Sequence, residues 1–117
     1  MYREHGNPPI GPKSEGEKTN PADDLLIADS GAVPNAGLFE CIVSVGSSAA
    51  ADVQVQRRNA ANSATVGDVL ILKVTGGNQT GQYRCLFKLE VSERIRVLMD
   101  DALTGTIAAI VNLEQYG

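Results

Sequence analysis

Residue types capable of catalysis are few in this chain, and they lie far apart in the sequence. The single histidine, His5, lies near the N-terminus among prolines and charged residues. A Ser-His-Asp or Cys-His arrangement would require this segment to fold back over the rest of the chain. The adjacent carboxylates Asp23-Asp24 and Asp100-Asp101 would point to opposite faces if they lay on strands, so adjacency does not predict an acid–base pair. We therefore expect no catalytic residues and no enzymatic activity.

The two cysteines, Cys41 and Cys85, both fall at positions predicted to face inward. They could form a disulfide that joins two sheets, or remain as reduced, buried thiols that act as small hydrophobic side chains. The first residues, MYREHGNPPIGPK, contain no apolar segment typical of a signal peptide. We therefore expect synthesis in the cytosol and favour reduced thiols over the disulfide.

Metal and cofactor sites are not indicated by the spacing of potential ligands. Two isolated cysteines and one histidine do not form a zinc-binding pattern. Asp100-Asp101 could contribute to a calcium site at a loop, but the spacing around them is not that of an EF-hand. No glycine-rich loop opens a helix in the way that a phosphate-binding loop does. The sequence thus predicts neither a metal nor a cofactor.

The densest polar cluster in the predicted domain is Arg57-Arg58-Asn59, at the end of a predicted strand. One interpretation is a solvated strand end. The other is a contact with a partner subunit, because the forked guanidinium of arginine matches the geometry of a carboxylate.

Composition narrows the class of partner. The chain has 117 residues and a net charge of −4, with a pI of about 4.8, which does not suit a nucleic-acid-binding protein. No stretch approaches the ~18 consecutive apolar residues of a membrane span. Aromatic residues make up 4 % of the chain and tryptophan is absent, so the core must consist of aliphatic residues. A small aliphatic core has little excess stability, which makes self-association or docking on a larger surface a plausible source of stability.

Residues 1–23 form a predicted N-terminal arm. They hold four of the five prolines of the chain, and proline lacks the N–H that strands and helices use. This segment is either a flexible terminus or an arm that a neighbouring subunit orders. We expect Tyr2, Arg3 and Ile10 to be its anchors, and removal of residues 1–20 to leave the fold intact.

Residues 24–117 form the predicted folded domain. Alternation with a period of two predicts strands at 25–27, 38–45, 51–58, 69–74, 82–91, 94–100 and 106–115. Residues 69–74 are nearly all apolar, as expected for a central strand covered on both faces. Residues 93–103 could also form a helix, but the alternation in Arg-Ile-Arg-Val favours a strand. Seven regularly spaced strands predict an all-β, jelly-roll-like sandwich of about seven to eight strands.

Two resemblances suggest different functions. The segment Gly81-Gln82-Tyr83-Arg84-Cys85 resembles the strand-F signature of immunoglobulin domains, with Cys41 as the first cysteine. It implies a binding or adhesion module with an oxidised Cys41–Cys85 bridge. The chain lacks the tryptophan that packs on such a bridge, and two strand-like segments follow Cys85.

The second resemblance covers a longer part of the chain. ADVQVQRRNAANSATVGD (51–68) and TGQYRCLFKLEVSERIRVLMDDALTGTIAAIVNLE (80–114) are similar to small β-sandwich structural proteins of tailed bacteriophages. Within that group the closest class is the capsid decoration, or cement, proteins, and a tail or fibre component is the alternative. The resemblance implies a non-enzymatic virion protein, made in the host cytoplasm, that binds the major capsid protein on the capsid exterior. It also implies a homo-oligomer, with a trimer favoured, that uses terminal arms to clamp adjacent capsomers.

Overall fold

A computed structural model describes residues 10–75 and 79–116 of the chain. These residues form β-strands joined by turns and loops, and no helix among them is long and apolar enough to cross a membrane. The strands are β1 (Ile10–Lys13), β2 (Lys18–Thr19), β3 (Leu26–Asp29), β4 (Gly37–Ser47), β5 (Ala51–Arg58), β6 (Leu70–Val74), β7 (Gln79–Leu89), β8 (Arg94–Met99) and β9 (Thr106–Gln115).

The strands form two antiparallel sheets packed as a sandwich. Sheet A has the order β1-β9-β4-β7, with β2 also paired to β9, and sheet B has the order β3-β8-β5-β6. The chain passes from one sheet to the other at most connections, and the hairpin between β5 and β6 stays within sheet B. If β1 and β2 are counted as one interrupted strand, each sheet has four strands, as in a jelly roll. The predicted jelly-roll-like sandwich is therefore confirmed.

Aliphatic side chains from the facing sheets form the core. On β4 the alternate residues Phe39, Cys41, Val43 and Val45 are buried, and they belong to the same core cluster as the alternate valines of β5. Phe39 is the one aromatic side chain among the largest fully buried residues of the described chain. The core is thus mostly Val, Ile and Leu, as the composition predicts.

An irregularity in sheet B adds to the core. The register between β3 and β8 shifts between Leu26 and Ala28, and both Ile27 and Ala28 are buried. In a regular strand two successive residues point to opposite faces, so a bulge of this kind allows both to face inward.

The strands lie where the alternation predicts them, but one of them has a different place in its sheet from the predicted one. Residues 94–99 form β8, so the strand interpretation is correct and the helix alternative is wrong. The prediction of a central strand at 69–74 is wrong, because β6 is the last strand of sheet B and pairs with β5 on one side. Its apolar residues include Ile71, which is exposed on the outer face.

Part of the predicted arm belongs to the sandwich. Ile10 and Lys13 pair with Leu113 and Val111 of β9, and β2 pairs with the other end of that strand. Pro12 is tolerated because β1 lies at the edge of sheet A, and the register shifts at this point. The structured domain therefore begins by residue 10, not at residue 24.

The segment 20–23, which follows β2, is also attached to the rest of the domain. The side chain of Asn20 accepts a hydrogen bond from the backbone N–H of Gly105 (2.9 Å), and the carbonyl oxygen of Pro21 accepts one from Leu103 (3.0 Å). Pro21 itself is buried. Contacts within the same chain thus attach residues 10–23 to the rest of the domain.

Candidate functional site

The outer face of sheet A carries apolar side chains that one copy of the protein leaves exposed. Leu38 on β4, Leu86 on β7, Ile110 on β9 and Tyr116 just after β9 are between 39 % and 54 % exposed. Ile42 lies among them on β4 and is half-buried. These five residues are called the sheet A face below. They include four of the eight large exposed hydrophobic residues of the described chain.

Strand pairing mixes these apolar side chains with polar ones. Glu40 on β4 lies opposite Leu86 of β7 and Glu114 of β9. The carboxylate of Glu40 binds the Arg84 guanidinium at 3.1 Å and accepts a hydrogen bond from the Tyr116 hydroxyl at 2.9 Å. This hydrogen bond is the main cause of the raised pKa of Tyr116.

The polar contacts around Glu40 have a structural consequence for the sheet A face. They connect β7, β4 and the end of β9, and they lie among the apolar side chains. Protein–protein interfaces combine exposed apolar side chains with polar groups in this way. The arrangement is therefore suited to docking.

The sequence contains a signal for this surface that alternation alone does not reveal. Alternation assigns the inward residues of each strand to the core and the remaining residues to water. Leu38, Leu86 and Ile110 occupy outward positions that are polar in most solvent-facing strands. Apolar residues in the outward half of an alternating pattern are the sequence signature of a second buried face.

Arg57, predicted as a partner contact, binds a carboxylate of its own chain. Its Nε and Nη2 atoms donate to Oε1 of Glu93 at 3.0 and 2.7 Å. The same oxygen accepts a hydrogen bond from the backbone N–H of Glu90 at 2.7 Å, and Glu93 is buried. The forked contact that the sequence suggested is therefore formed within the molecule, between β5 and the turn that precedes β8.

Arg58 and Asn59 organise the loop after β5. Arg58 donates to the side-chain and backbone oxygens of Asn62 and to the Thr65 hydroxyl, at 3.0 to 3.1 Å. The side-chain oxygen of Asn59 accepts backbone hydrogen bonds from residues 63 and 64. Both residues have partners in their own loop, and their contact with another subunit stays a prediction.

The cysteines lie side by side in one sheet. Cys41 on β4 is the direct pairing partner of Cys85 on β7, and both thiols are free. A disulfide between the two sheets is therefore wrong as an interpretation, because the residues are in the same sheet. Burial, with a smaller contribution from Cys85, raises the pKa of Cys41 to about 12, which makes this thiol unreactive at neutral pH.

The other predicted anchors lie at or before the start of the described chain. Tyr2 and Arg3 fall outside the described residues. The backbone of Ile10 pairs with Leu113. These three residues remain predicted partner contacts.

Three carboxylates come together at one end of sheet B. Oxygen atoms of Asp52, Asp100 and Asp101 lie within 4.8 Å of one another, and such a group could hold a cation. Asp52 is already paired with Lys73 at 3.1 Å, and Asp100 accepts a hydrogen bond from Gln54 at 2.8 Å. With these partners in place, the cluster is explained as part of the polar network on sheet B.

Comparisons with known proteins support the fold. No protein-family model and no curated protein matches the chain. Among solved structures, the globular domain of zebrafish complement 1qA protein is similar, with a TM-score of 0.66 over 91 % of this chain and 95 % of that one. The sequence identity is 6 %. At this identity the similarity shows a shared jelly-roll fold and nothing about function.

Proposed function

We propose that this protein is a non-enzymatic structural component of a tailed-phage particle, which binds the major capsid protein from the outside as a decoration protein. The proposal rests on the resemblance of residues 51–68 and 80–114 to that class. These segments correspond to β5 with the loop that follows it, and to β7, β8 and β9. The resemblance therefore includes two strands of each sheet and is not confined to one strand.

The same proposal includes self-association, and the observation that supports self-association is the sheet A face. A side chain such as Leu86, 54 % exposed, gains free energy when a partner covers it, at about 25 cal/mol per Å² of apolar area. Several such side chains fixed on one flat sheet support association with a flat protein surface. We propose that the sheet A face forms the contact between copies in a homotrimer.

A matched pair of substitutions tests this contact. Leu86 on the sheet A face and Val91 in the turn after β7 are both 54 % exposed. Leu86→Asp places a charge in the proposed interface, whereas Val91→Asp places one at an equally exposed position away from it. We expect the wild-type chain and Val91→Asp to sediment as trimers, and Leu86→Asp to dissociate at the same concentration. If Leu86→Asp remains associated, the sheet A face is not the contact.

Binding to the capsid is tested separately. Mass spectrometry of purified particles of the source phage should find this chain at an abundance comparable with that of the major capsid protein. A few copies per particle would indicate a tail or fibre component. Absence from the particles would refute a virion role and leave an adhesion module as the next hypothesis.

A further inference from the structure

Three arginines converge on the outer face of sheet B. On β5 and β8, Arg58 lies directly opposite Arg94, and the next outward pair is Gln56 and Arg96. The residues between them, such as Ile95 and Val97, are buried, so the arginines point away from the core. Like charges directly opposite each other in a sheet are destabilising. An arrangement of this kind needs a compensating negative charge.

The described residues supply less negative charge than the three guanidiniums need. Arg94 contacts the carboxylate of Asp29 at 3.3 and 3.5 Å, through one nitrogen. Arg96 donates to the neutral amide oxygen of Gln56 at 3.1 Å. Arg58 donates to neutral oxygens of its own loop. Among the residues that the structure describes, three positive charges with one carboxylate partner leave two positive charges uncompensated at this position, in a chain whose net charge is −4.

Two further observations show that this positive charge is not fully solvated. The Nε atoms of Arg94 and Arg96 are buried and have no hydrogen-bond partner among the described residues. The pKa of Arg96 is lowered, first by burial and then by Arg58, with Arg94 adding to the effect and Asp29 opposing it. Positive charges that are partly desolvated and that repel one another are costly, and an anion bound beside the guanidiniums would offset that cost.

We propose that Arg58, Arg94 and Arg96 form a binding site for a doubly charged oxyanion, a phosphate or sulfate group. The guanidinium of arginine suits such an oxyanion because it donates parallel hydrogen bonds to two oxygens of one phosphate or sulfate group. A carboxylate, with a single charge, would leave one positive charge uncompensated, whereas a dianion balances both. This site is on the opposite side of the sandwich from the sheet A face and does not depend on the virion role.

The test is a titration of the full-length, isotopically labelled protein, followed by the NMR signals of the arginine Nε–H groups. Inorganic phosphate and inorganic sulfate are added at constant ionic strength, which is maintained with sodium chloride. We expect saturable shifts of the signals of Arg58, Arg94 and Arg96. A parallel titration with glycerol 1-phosphate shows whether the site also accepts the group as an ester on a larger molecule or takes the free ion alone.

Substitutions assign the effect to the site. Arg96→Gln should weaken phosphate binding about tenfold, as expected for the loss of one charge-assisted contact. Arg96→Lys keeps the positive charge but loses the forked guanidinium, so its affinity for phosphate should lie between that of Arg96→Gln and that of the wild type. Lys73→Gln is the control, because Lys73 is an exposed cation that is paired with Asp52 at the other end of sheet B, and this variant should bind phosphate as the wild type does.

The outcomes that overturn the proposal are specific. Shifts that sodium chloride reproduces at equal ionic strength would show general screening, and equal affinity of Arg96→Gln and wild type would show that binding occurs elsewhere. If Arg96→Gln does not fold, Arg58→Gln provides the same comparison, because Arg58 lies at the end of β5.

Discussion

The ion pair between Arg57 and Glu93 attaches the turn before β8 to β5, and its removal should be costly. Arg57 is the sole cation within hydrogen-bonding distance of this carboxylate among the described residues. In the variant Arg57→Leu the buried Glu93 carboxylate keeps one hydrogen bond, from the backbone of Glu90. We therefore expect Arg57→Leu to be among the most destabilising single substitutions at a partly exposed position.

The magnitude follows from the exposure of the two side chains. In the Arg57–Glu93 pair the side chains are 26 % and 9 % exposed, whereas in the Arg84–Glu40 pair they are 58 % and 18 % exposed. Leaving a buried charge without its partner costs about 3 kcal/mol. Exposed pairs contribute about 0 to 1 kcal/mol. Domains of this size have a total stability of about 5 to 15 kcal/mol, so the decrease expected for Arg57→Leu is readily measurable.

Urea unfolding of four proteins tests this reasoning. Wild type, Arg57→Leu, Glu93→Gln and the double variant form a cycle whose coupling energy isolates the pair from other effects of each substitution. Arg84→Leu serves as the exposed control. The reasoning that burial makes the Arg57–Glu93 pair strong would be refuted by either of two results. One is an equal decrease in the free energy of unfolding for Arg57→Leu and Arg84→Leu, and the other is a coupling energy below about 0.5 kcal/mol in the cycle.

Two further predictions concern the thiols and the N-terminal segment. Iodoacetamide at pH 8 should modify Cys85 and leave Cys41 unmodified in the folded protein, because at a pKa of about 12 only about one Cys41 thiol in 10⁴ is ionised. Mass spectrometry after digestion distinguishes the two modified cysteines. In urea, where the protein is unfolded, both cysteines should react. Deleting residues 1–9 should weaken capsid attachment and keeps β1 and β2 in place, whereas deleting 1–19 also removes β1 and β2 from β9 and should cost about a further 2 kcal/mol or more. Equal melting temperatures for the two deletions would show that these strands contribute nothing to stability.

The strands and their inward faces could be predicted because the signal is local. In β5 and β9 the predicted bounds agree with the structure, since alternation over eight or ten residues is difficult to mistake. The opposite holds for β1 and β2. They are short, contain or flank prolines, and are held by pairing with β9 at the far end of the sequence. No local pattern could have shown that residues 10–19 complete sheet A.

The residues of each site come together because of the strand order, and the alternation within a strand carries no information about that order. Arg58 and Arg94 are far apart in sequence and meet because β5 and β8 are neighbours in sheet B. Cys41 and Cys85 meet for the same reason in sheet A. The sequence suggested a carboxylate of a partner subunit for Arg57, whereas Glu93 of the same chain provides one, and no local pattern shows this.

The two outer faces of the sandwich differ in chemistry, and this difference allows the two proposals to be tested independently. The sheet A face combines exposed apolar side chains with the Arg84–Glu40 pair, whereas the outer face of sheet B carries Arg58, Arg94 and Arg96. The two sheets pack about 10 Å apart, and each has its own outward side chains. A partner on one face therefore does not cover the other. Leu86→Asp should abolish association and preserve phosphate binding, whereas Arg96→Gln should preserve association and weaken phosphate binding about tenfold. If Leu86→Asp abolishes both, the oxyanion site requires the assembled oligomer, and the two faces do not act independently.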